Sequence, residues 1–523
     1  MRIKSSHVFG YLLAASMLSV SAVSAADAQM GQPGADAGKS AATSGYPKYR
    51  ITDVGAPSGV DFILSSGGRP LDESAELVGM IGSHAYLWNI DKSPAIDISG
   101  PIVTTANSIS AAGQVTGFAQ FGGSASNPHA FLWKHDGTAM MDLGTLGSAS
   151  DDSAGAAVNS LGQVAGSSVN RAFLWKNDGR PMHDLGNLGG TDTHALALNE
   201  SGQVTGYSAT NGGRVPHAFL WRNDGTAMVD LGPRAGKASF GRSINASGEV
   251  TGNAWAGVIN NATYYHAYRW RNDGTAPVDL DKTGGAHNSV GNKINDAGQV
   301  IGSAWSTAGN AYRAFTWRSN GSAVDPGTLG GTRSEVYDIN RAGWVVGLST
   351  RSLADSGTAF LWVDNGQGMK NLNDLIDPAD PLHSTVYLTD AFAINDAGDI
   401  AVIGQDSRTQ ASRAYILRGS QLALDPTSLA FGKQKVGTTS AARTVTVQNR
   451  TRSAVGITNI KLAGSGAKQF AYTSKCGSSV PGNGSCAIRV IFKPTSKGAK
   501  SATLSVNDGG NGLRVVDLAG TGT

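Results

Sequence analysis

The sequence is short of cysteine, of charge and of long apolar runs. Only two of its 523 residues are cysteine, and only 15% are charged. After the N-terminal segment no run of 18 apolar residues occurs, so no transmembrane helix is predicted. The formal net charge of +3 gives no sign of a nucleic-acid partner.

Recognisable catalytic motifs are also missing. No Gly-x-Ser-x-Gly elbow, His-Glu-x-x-His pair, Asp-x-Asp/Asn calcium loop or sialidase Asp-box occurs. The adjacent Asp151 and Asp152 stand in a Gly/Ser-rich loop, where neighbouring carboxylates rarely supply the opposed acid and base of a glycosidase. We therefore expect a protein that is not an enzyme and that needs neither a cofactor nor a metal.

The N-terminus has the layout of a secretory signal peptide. Arg2 and Lys4 precede an apolar stretch from Val8 to about Val23, and small residues follow at Ala26 and Ala28. We predict a signal peptide over 1–28 and a flexible Gly/Ala/Ser-rich leader over 29–45. Export would place the mature chain outside the cell, at the cell surface or in the periplasm. The two cysteines, Cys476 and Cys486, are then predicted to form a disulfide.

The chain from 46 to 419 is built of eight repeats of about 46 residues. Each contains an aromatic phrase such as HAFLW at 129 and 217, preceded by a turn phrase such as INASGEVTG at 244. Each repeat reads as four short strands, which we call a (M-x-D-L-G), b (ending in Ile-Asn), c (Q-V-x-G) and d (A-F-L-W). Asn-x-x-Gly between b and c, and Asp-Gly between d and a, are turn signals.

Eight four-stranded units predict an all-β fold, a β-propeller of eight blades; seven blades, or an open solenoid, are the alternatives. The array begins with a lone strand a at YRITDVG and ends with a lone strand d at RAYIL. We expect the first strand to complete the last blade and close the ring. The recurring tryptophans are expected to form the core between blades: Trp88, Trp133, Trp175, Trp221, Trp270, Trp317 and Trp362.

These phrases resemble the bacterial HAF family of extracellular repeats over roughly Tyr46 to Gly419. The first unit departs at Asp72, which replaces the turn asparagine, and the last at Leu417, which replaces the tryptophan. The resemblance implies export and a repeat array, and it carries no activity.

The segment 420–523 alternates apolar and polar residues in runs of five to seven, as in a seven-stranded immunoglobulin-like sandwich. Its P-x-S-L-x-F-G, F-x-P and closing L-x-G-T-G phrases closely resemble the choice-of-anchor D type of Ig-like domain, related to the ASH/Hydin modules. The resemblance implies a stabilising or adhesive module. Thirteen Lys/Arg and three Asp/Glu follow residue 420, which is either a solvated basic surface or a site for an anionic polymer.

Two sets of residues are not explained by strand and turn geometry alone. The first opens strand d in most units and would form a circle of cationic side chains that holds a polyanion, more strongly as imidazoles are protonated. The alternative is that each residue bonds a carbonyl or Asp within its own blade. Its members are His84, His129, Arg171, His217, His266, Arg313 and Arg413, with Thr358 as the gap.

The second set lies on strand b, which is expected to be innermost. Small residues such as Ala156 and Ala197 suit a narrow axis, whereas units five to seven place polar residues there. A small ligand would dock beside them, unless Lys293 and Asp338 simply pair between blades. The set comprises Arg242, Asn292, Lys293, Tyr337 and Asp338.

We therefore expect an exported, non-catalytic binding or adhesion protein, whose partner is an anionic polysaccharide or an envelope protein. The alternatives are a carbohydrate-active hydrolase or lyase and a purely structural matrix component. An enzyme should bring two carboxylates, or a histidine and an acid, together at the axis. The sequence predicts no oligomeric state.

Overall fold

The computed structural model describes residues 46 and 48–523, except 56–60, 63–67, 90–93, 123–126, 211–214, 234–236, 260–261, 282–287, 307–310, 353–356, 379, 420–421, 427, 450–453, 465, 483 and 509–512. The predicted signal peptide (1–28) and leader (29–45) lie outside these residues. All strands belong to the second of two compact units, Pro47–Thr523. Among the described residues no helix has the length and apolarity to cross a membrane.

Eight four-stranded antiparallel sheets follow one another along the chain up to Gly419, which confirms the β-propeller with eight blades. Blades 1 to 4 contain β2 (Asp61–Phe62), β3 (Leu77–Ile81), β4 (His84–Trp88), β5 (Ile96–Asp97); β6 (Thr104–Ile109), β7 (Val115–Ala119), β8 (His129–Trp133), β9 (Met141–Asp142); β10 (Ser153–Val158), β11 (Val164–Ser168), β12 (Arg171–Trp175), β13 (His183–Asp184); β14 (Gly189–Leu198), β15 (Val204–Thr210), β16 (Pro216–Trp221), β17 (Val229–Asp230).

Blades 5 to 7 contain β18 (Ser239–Ile244), β19 (Val250–Ile259), β20 (Ala262–Trp270), β21 (Val278–Asp279); β22 (Val290–Ile294), β23 (Val300–Ser306), β24 (Ala311–Trp317), β25 (Ala323–Val324); β26 (Ser334–Ile339), β27 (Val345–Ser349), β28 (Thr358–Trp362), β29 (Lys370–Asn371). A short 3-10 helix, Leu372–Leu375, leads to blade 8, which contains β30 (Val386–Ile394), β31 (Ile400–Asp406) and β32 (Ala411–Gly419).

The first strand of the chain closes the ring. Strand β1 (Tyr49–Asp53) pairs antiparallel with β32 and supplies the outer strand of blade 8. A hydrophobic cluster then joins Leu77 and Trp88 of blade 1 to Phe392 and Ile416 of blade 8. The predicted closure by a lone strand a is therefore what the chain adopts, and it leaves no blade without its outer strand.

The repeated turn phrase also links neighbouring blades. In blade 4 the Asn199 Oδ1 accepts the backbone N–H of Gln203 (2.9 Å), which fixes the turn, while its Nδ2 donates to the carbonyl oxygen of Asn245 in blade 5 (2.9 Å). Such rungs form a ladder around the ring. They run from Asn159 to Asn199, Asn245, Asn295, Asn340, Asn395 and the carbonyl of Asp72.

Two positions of the turn phrase require glycine for different physical reasons. Gly202 ends the turn at φ +78°, a region that favours glycine, and blade 1 forces Ala75 into the same region at φ 64°. Gly206 lies on strand c opposite the inner strand, where a Cβ would overlap the carbonyl oxygen of His194. Strands b and c therefore approach too closely for any other residue.

Hydrophobic clusters lie between blades. Trp221 of blade 4, for example, packs with Phe219 of its own blade and with Leu174 and Leu185 of blade 3. The seven recurring tryptophans are all less than 10% exposed, as expected of a core between blades. Burial of these large aromatic rings between successive sheets stabilises the ring.

The C-terminal segment is a sandwich of two four-stranded sheets, with strand orders β33-β35-β40-β38 and β34-β42-β41-β37, plus a short β36-β39 pair. It thus has ten strands rather than the seven expected, because the first segment contributes one strand to each sheet and a short pair adds two more. Between β37 and β38 lies a 3-10 helix, Ala467–Gln469. The strands are β33 (Leu422–Asp425), β34 (Ser428–Gln434), β35 (Arg443–Asn449), β36 (Val455–Gly456), β37 (Asn459–Ala463), β38 (Phe470–Ser474), β39 (Ser479–Val480), β40 (Ser485–Phe492), β41 (Gly498–Asn507) and β42 (Leu513–Gly522).

The sandwich core is apolar and aromatic. Phe431, Phe470 and Phe492 pack together between the sheets, with ring centroids 4.9 to 6.0 Å apart. A disulfide joins Cys476 to Cys486, and both partly buried cysteines pack against this core.

Candidate functional site

The inner strand b of seven blades carries a β-bulge at one equivalent position. From blade 2 to blade 8 the strand b of each blade contacts the strand b of the next, so these strands form the inner layer of the ring. A bulge inserts one extra residue and re-aims its side chain. The bulged residues are Asn107, Ala156, Leu196, Arg242, Asn292, Tyr337 and Phe392.

The five predicted axial residues occupy this bulge or the position after it. Lys293 and Asp338 are brought together, because Lys293 Nζ lies 3.0 Å from Asp338 Oδ1. Asp338 Oδ2 also accepts the backbone N–H of Ile394 (3.0 Å). This pair therefore links blades 6, 7 and 8.

Arg242 is a partly buried cation in the same layer. Its Nε donates to Asn253 Oδ1 on the adjacent strand (3.2 Å), and burial lowers the pKa of Arg242 to about 10. It remains protonated at neutral pH. The bulge itself does not require a cation, since Ala156 fills the equivalent place in blade 3.

Two carboxylates that the sequence analysis did not single out lie on the inner strands of blades 7 and 8. Glu335 accepts from Arg333 Nε (2.9 Å) and Nη2 (2.6 Å), and from the Tyr337 hydroxyl (2.9 Å). Burial raises the pKa of Asp390, and the charge of Glu335 raises it further. A polar residue two positions before Tyr337 on the same strand was the available signal, because alternate residues share a face.

A second unpredicted cluster crosses from blade 3 to blade 4. His194 Nε2 lies 2.7 Å from Asp192 Oδ1, and His194 Nδ1 lies 3.1 Å from Ser167 Oγ. All three residues are half-buried. The Asp192–His194 spacing on one strand was visible in the sequence. Ser167 was not, because its approach depends on how blade 3 packs against blade 4.

The predicted cationic circle has one residue in each blade, near the start of strand d. In most blades its member contacts an aspartate on the outer strand of the same blade, which is the alternative that the sequence analysis left open. The pairs are His84–Asp97 (3.8 Å), His129–Asp142 (3.0 Å), Arg171–Asp184, His217–Asp230 (3.0 Å), His266–Asp279 (3.0 Å) and Arg413–Asp53 (3.7 Å).

Each aspartate also fixes the turn that leaves the outer strand, for instance Gly232 N–H to Asp230 Oδ1 (2.7 Å). The remaining members differ. Arg313 Nε donates to the carbonyl oxygen of Thr332 (3.1 Å), and Thr358 shares a hydrogen bond with the Tyr387 hydroxyl (2.6 Å). The hydrogen bond to Asp279 is the main reason that the pKa of His266 is raised.

Within the described residues no group of three or more His, Cys, Asp or Glu is arranged to hold a metal ion.

Residues 420–514 match the ASH family model, described as "Abnormal spindle-like microcephaly-assoc'd, ASPM-SPD-2-Hydin". No curated protein matches the chain significantly. An ASH/PapD-like domain of human CEP192 is similar to 20% of this chain and 85% of its own, at 12% identity and a TM-score of 0.16.

Two solved structures are similar to larger parts of the chain. The β-propeller domain of the Trilobed protease from Pyrococcus furiosus, described as having an open velcro topology, covers 63% of this chain and 100% of its own, with 11% identity and a TM-score of 0.36. YCF48 bound to D1 peptide covers 72% and 96%, with 10% identity and a TM-score of 0.35. At these identities the likeness concerns the fold alone.

Proposed function

We propose that this chain is an exported, non-catalytic binding or adhesion protein whose ligand is a polysaccharide or an envelope protein. The supporting observation is the inner layer of blades 5 to 7. There Arg242, Asn292 and Tyr337 stand at a bulge that Ala156 fills in blade 3. The repeat does not need these side chains, so we assign them to ligand binding rather than to the fold.

Export is supported by the signal-like N-terminal sequence, and the disulfide Cys476–Cys486 is compatible with an oxidising compartment. We also propose that the repeats belong with the bacterial HAF repeats and that the sandwich is of the choice-of-anchor D type. In this view the sandwich contributes adhesion or stability, and the propeller holds the ligand.

Charge supports a polar ligand at the axis. Arg242 is partly buried and cationic, whereas Glu335 is held by Arg333 and Tyr337. The Lys293–Asp338 pair is satisfied between blades, so we assign it a structural role, with Arg242 and Asn292 as the ligand contacts.

The test is binding of the full chain to a panel of polysaccharides and envelope proteins, with the double variant Arg242→Met/Asn292→Ala. Leu196→Ala, at the equivalent bulge of blade 4, is the matched control. We expect saturable binding by the parent chain, at least tenfold weaker in the double variant and unchanged in the control. Absence of any saturable ligand would favour a purely structural matrix component.

A second candidate function, a hydrolase acting on acyl esters of carbohydrate, is favoured by the Ser167–His194–Asp192 row. Ser167 Oγ would attack the ester carbonyl while His194 Nδ1 takes its proton and Asp192 holds the other ring nitrogen. The alcohol leaves with that proton, and water then releases the acid. A fluorophosphonate probe should label the parent chain at Ser167 and fail to label Ser167→Ala. An unlabelled parent chain removes this candidate.

A further inference from the structure

The hairpins between strands c and d are longer in blades 5 and 6 than in blade 3. In blade 3 the two strands, β11 and β12, have five residues each, whereas β19 and β20 have ten and nine, and β23 and β24 have seven each. The added residues extend beyond the position of the cationic circle. Blade 8 has c and d strands of seven and nine residues, so added length is not confined to blades 5 and 6.

The added length carries a tryptophan–tyrosine cross-strand pair at the same place in both blades. Trp255 faces Tyr265 in blade 5, and Trp305 faces Tyr312 in blade 6. At the same step blade 4 pairs Ala209 with Pro216, and blade 8 pairs Gln405 with Ser412. Aromatic pairs are therefore no requirement of the repeat.

One asparagine joins the two pairs. Asn288 Oδ1 accepts the backbone N–H of Tyr265 (2.8 Å), and the Asn288 N–H donates to the Tyr312 hydroxyl (3.2 Å). The rings of Trp305 and Tyr312 meet edge to face with centroids 5.1 Å apart. We call Trp255, Tyr265, Asn288, Trp305 and Tyr312 the aromatic platform.

The platform is partly open to solvent. Tyr312 is 38% exposed, and the other four residues are half-buried. Lys237 Nζ lies over the Trp255 ring, 4.6 Å from its centroid, so a cation covers one face of this ring. The remaining ring faces of the platform are apolar and have polar groups at their edges, and Tyr and Trp side chains of this kind favour binding surfaces.

We propose that the aromatic platform binds polysaccharide, with pyranose rings stacked on the tryptophan and tyrosine faces. A pyranose has an apolar face of C–H groups and a rim of hydroxyls, which match an aromatic face and the surrounding amide and hydroxyl groups. Two equivalent pairs on successive blades suit a ligand that is itself a repeat of similar units. The inference rests on the proposed binding function and names its ligand class and a second site.

The experiment measures dissociation constants of the full chain for dextran, laminarin, xylan, mannan and hyaluronate. Trp255→Ala/Tyr312→Ala tests the platform. Trp344→Ala is the matched control, because Trp344 is a half-buried tryptophan on a b–c turn, at the opposite ends of the strands. We expect at least a tenfold loss of affinity for the bound polymer in the double variant and none in the control.

Folding of each variant is checked by its thermal midpoint, and Tyr312→Phe provides a milder change that should weaken binding less. Binding should also alter the tryptophan fluorescence of the parent chain and lose that response in Trp255→Ala. If Arg242→Met/Asn292→Ala weakens polysaccharide binding and the platform variant does not, the platform is wrong and the proposed function stands. The same conclusion follows if only envelope proteins bind. If nothing binds, both fail.

Discussion

The asparagine ladder predicts that one buried amide stabilises both a turn and a contact between blades. Asn199 is 6% exposed. Its Oδ1 accepts from Ser201 N–H and Gln203 N–H, and its Nδ2 donates to Gln203 Oε1 and to the carbonyl oxygen of Asn245. Asn199→Ala removes all four hydrogen bonds and leaves buried groups without them.

The cost follows from the net value of such bonds. At about 0.5–1.5 kcal/mol each, the four bonds give a loss of about 4 kcal/mol in the free energy of unfolding. For a propeller of roughly 370 residues, unfolding entropy near 2.1 cal/mol/K per residue converts this loss into a thermal midpoint lower by about 5 °C.

Tryptophan fluorescence is a suitable assay, because all ten tryptophans lie in the propeller, between Trp88 and Trp362. Asn320→Ala is the matched control. Asn320 is an exposed turn asparagine that accepts one bond from Ser322 N–H, and its loss should lower the midpoint by less than about 1 °C. Equal midpoints for the two variants would refute the ladder as a stabilising device.

Three further outcomes are expected. Burial, together with the charge of Glu76, raises the pKa of Asp72 from 3.8 to about 7. Ionisation of this carboxyl therefore lowers the stability of the fold as pH rises from about 4 to 7, by at most about 4 kcal/mol. Asp72→Asn should flatten that part of a pH series of urea midpoints, and an unchanged slope contradicts the assignment. Asp279→Asn should lower the pKa of His266, measured by NMR titration, because the raising hydrogen bond is lost. Replacing Cys476 and Cys486 by serine should destabilise the sandwich by about 2–3 kcal/mol, seen as faster hydrogen exchange in Ser485–Phe492.

The repeat made the fold predictable and the site only partly so. Blade number, turn positions and ring closure all depend on residues that recur, such as Asn199 and Trp221. The partner of Lys293 could also be predicted from the sequence, because Asp338 is the equivalent residue of the next unit. The Ser167–His194 contact was not, since it depends on the packing of one blade against the next rather than on spacing along one strand.

The cationic circle shows that recurrence in the sequence does not by itself identify ligand contacts. Recurrence placed His129 and His217 at one position in successive blades, and it equally placed an aspartate where each histidine bonds it. A residue that recurs with its partner is accounted for by the fold. The tryptophan at position 255 has an equivalent in one other blade, and the arginine at position 242 stands at the bulge of one blade. The fold is complete in the blades that lack them. Ligand contacts in this chain are therefore best sought at such departures from the repeat. Variants at Trp255 and Arg242 should change binding more than stability, whereas variants at Asn199 should do the reverse.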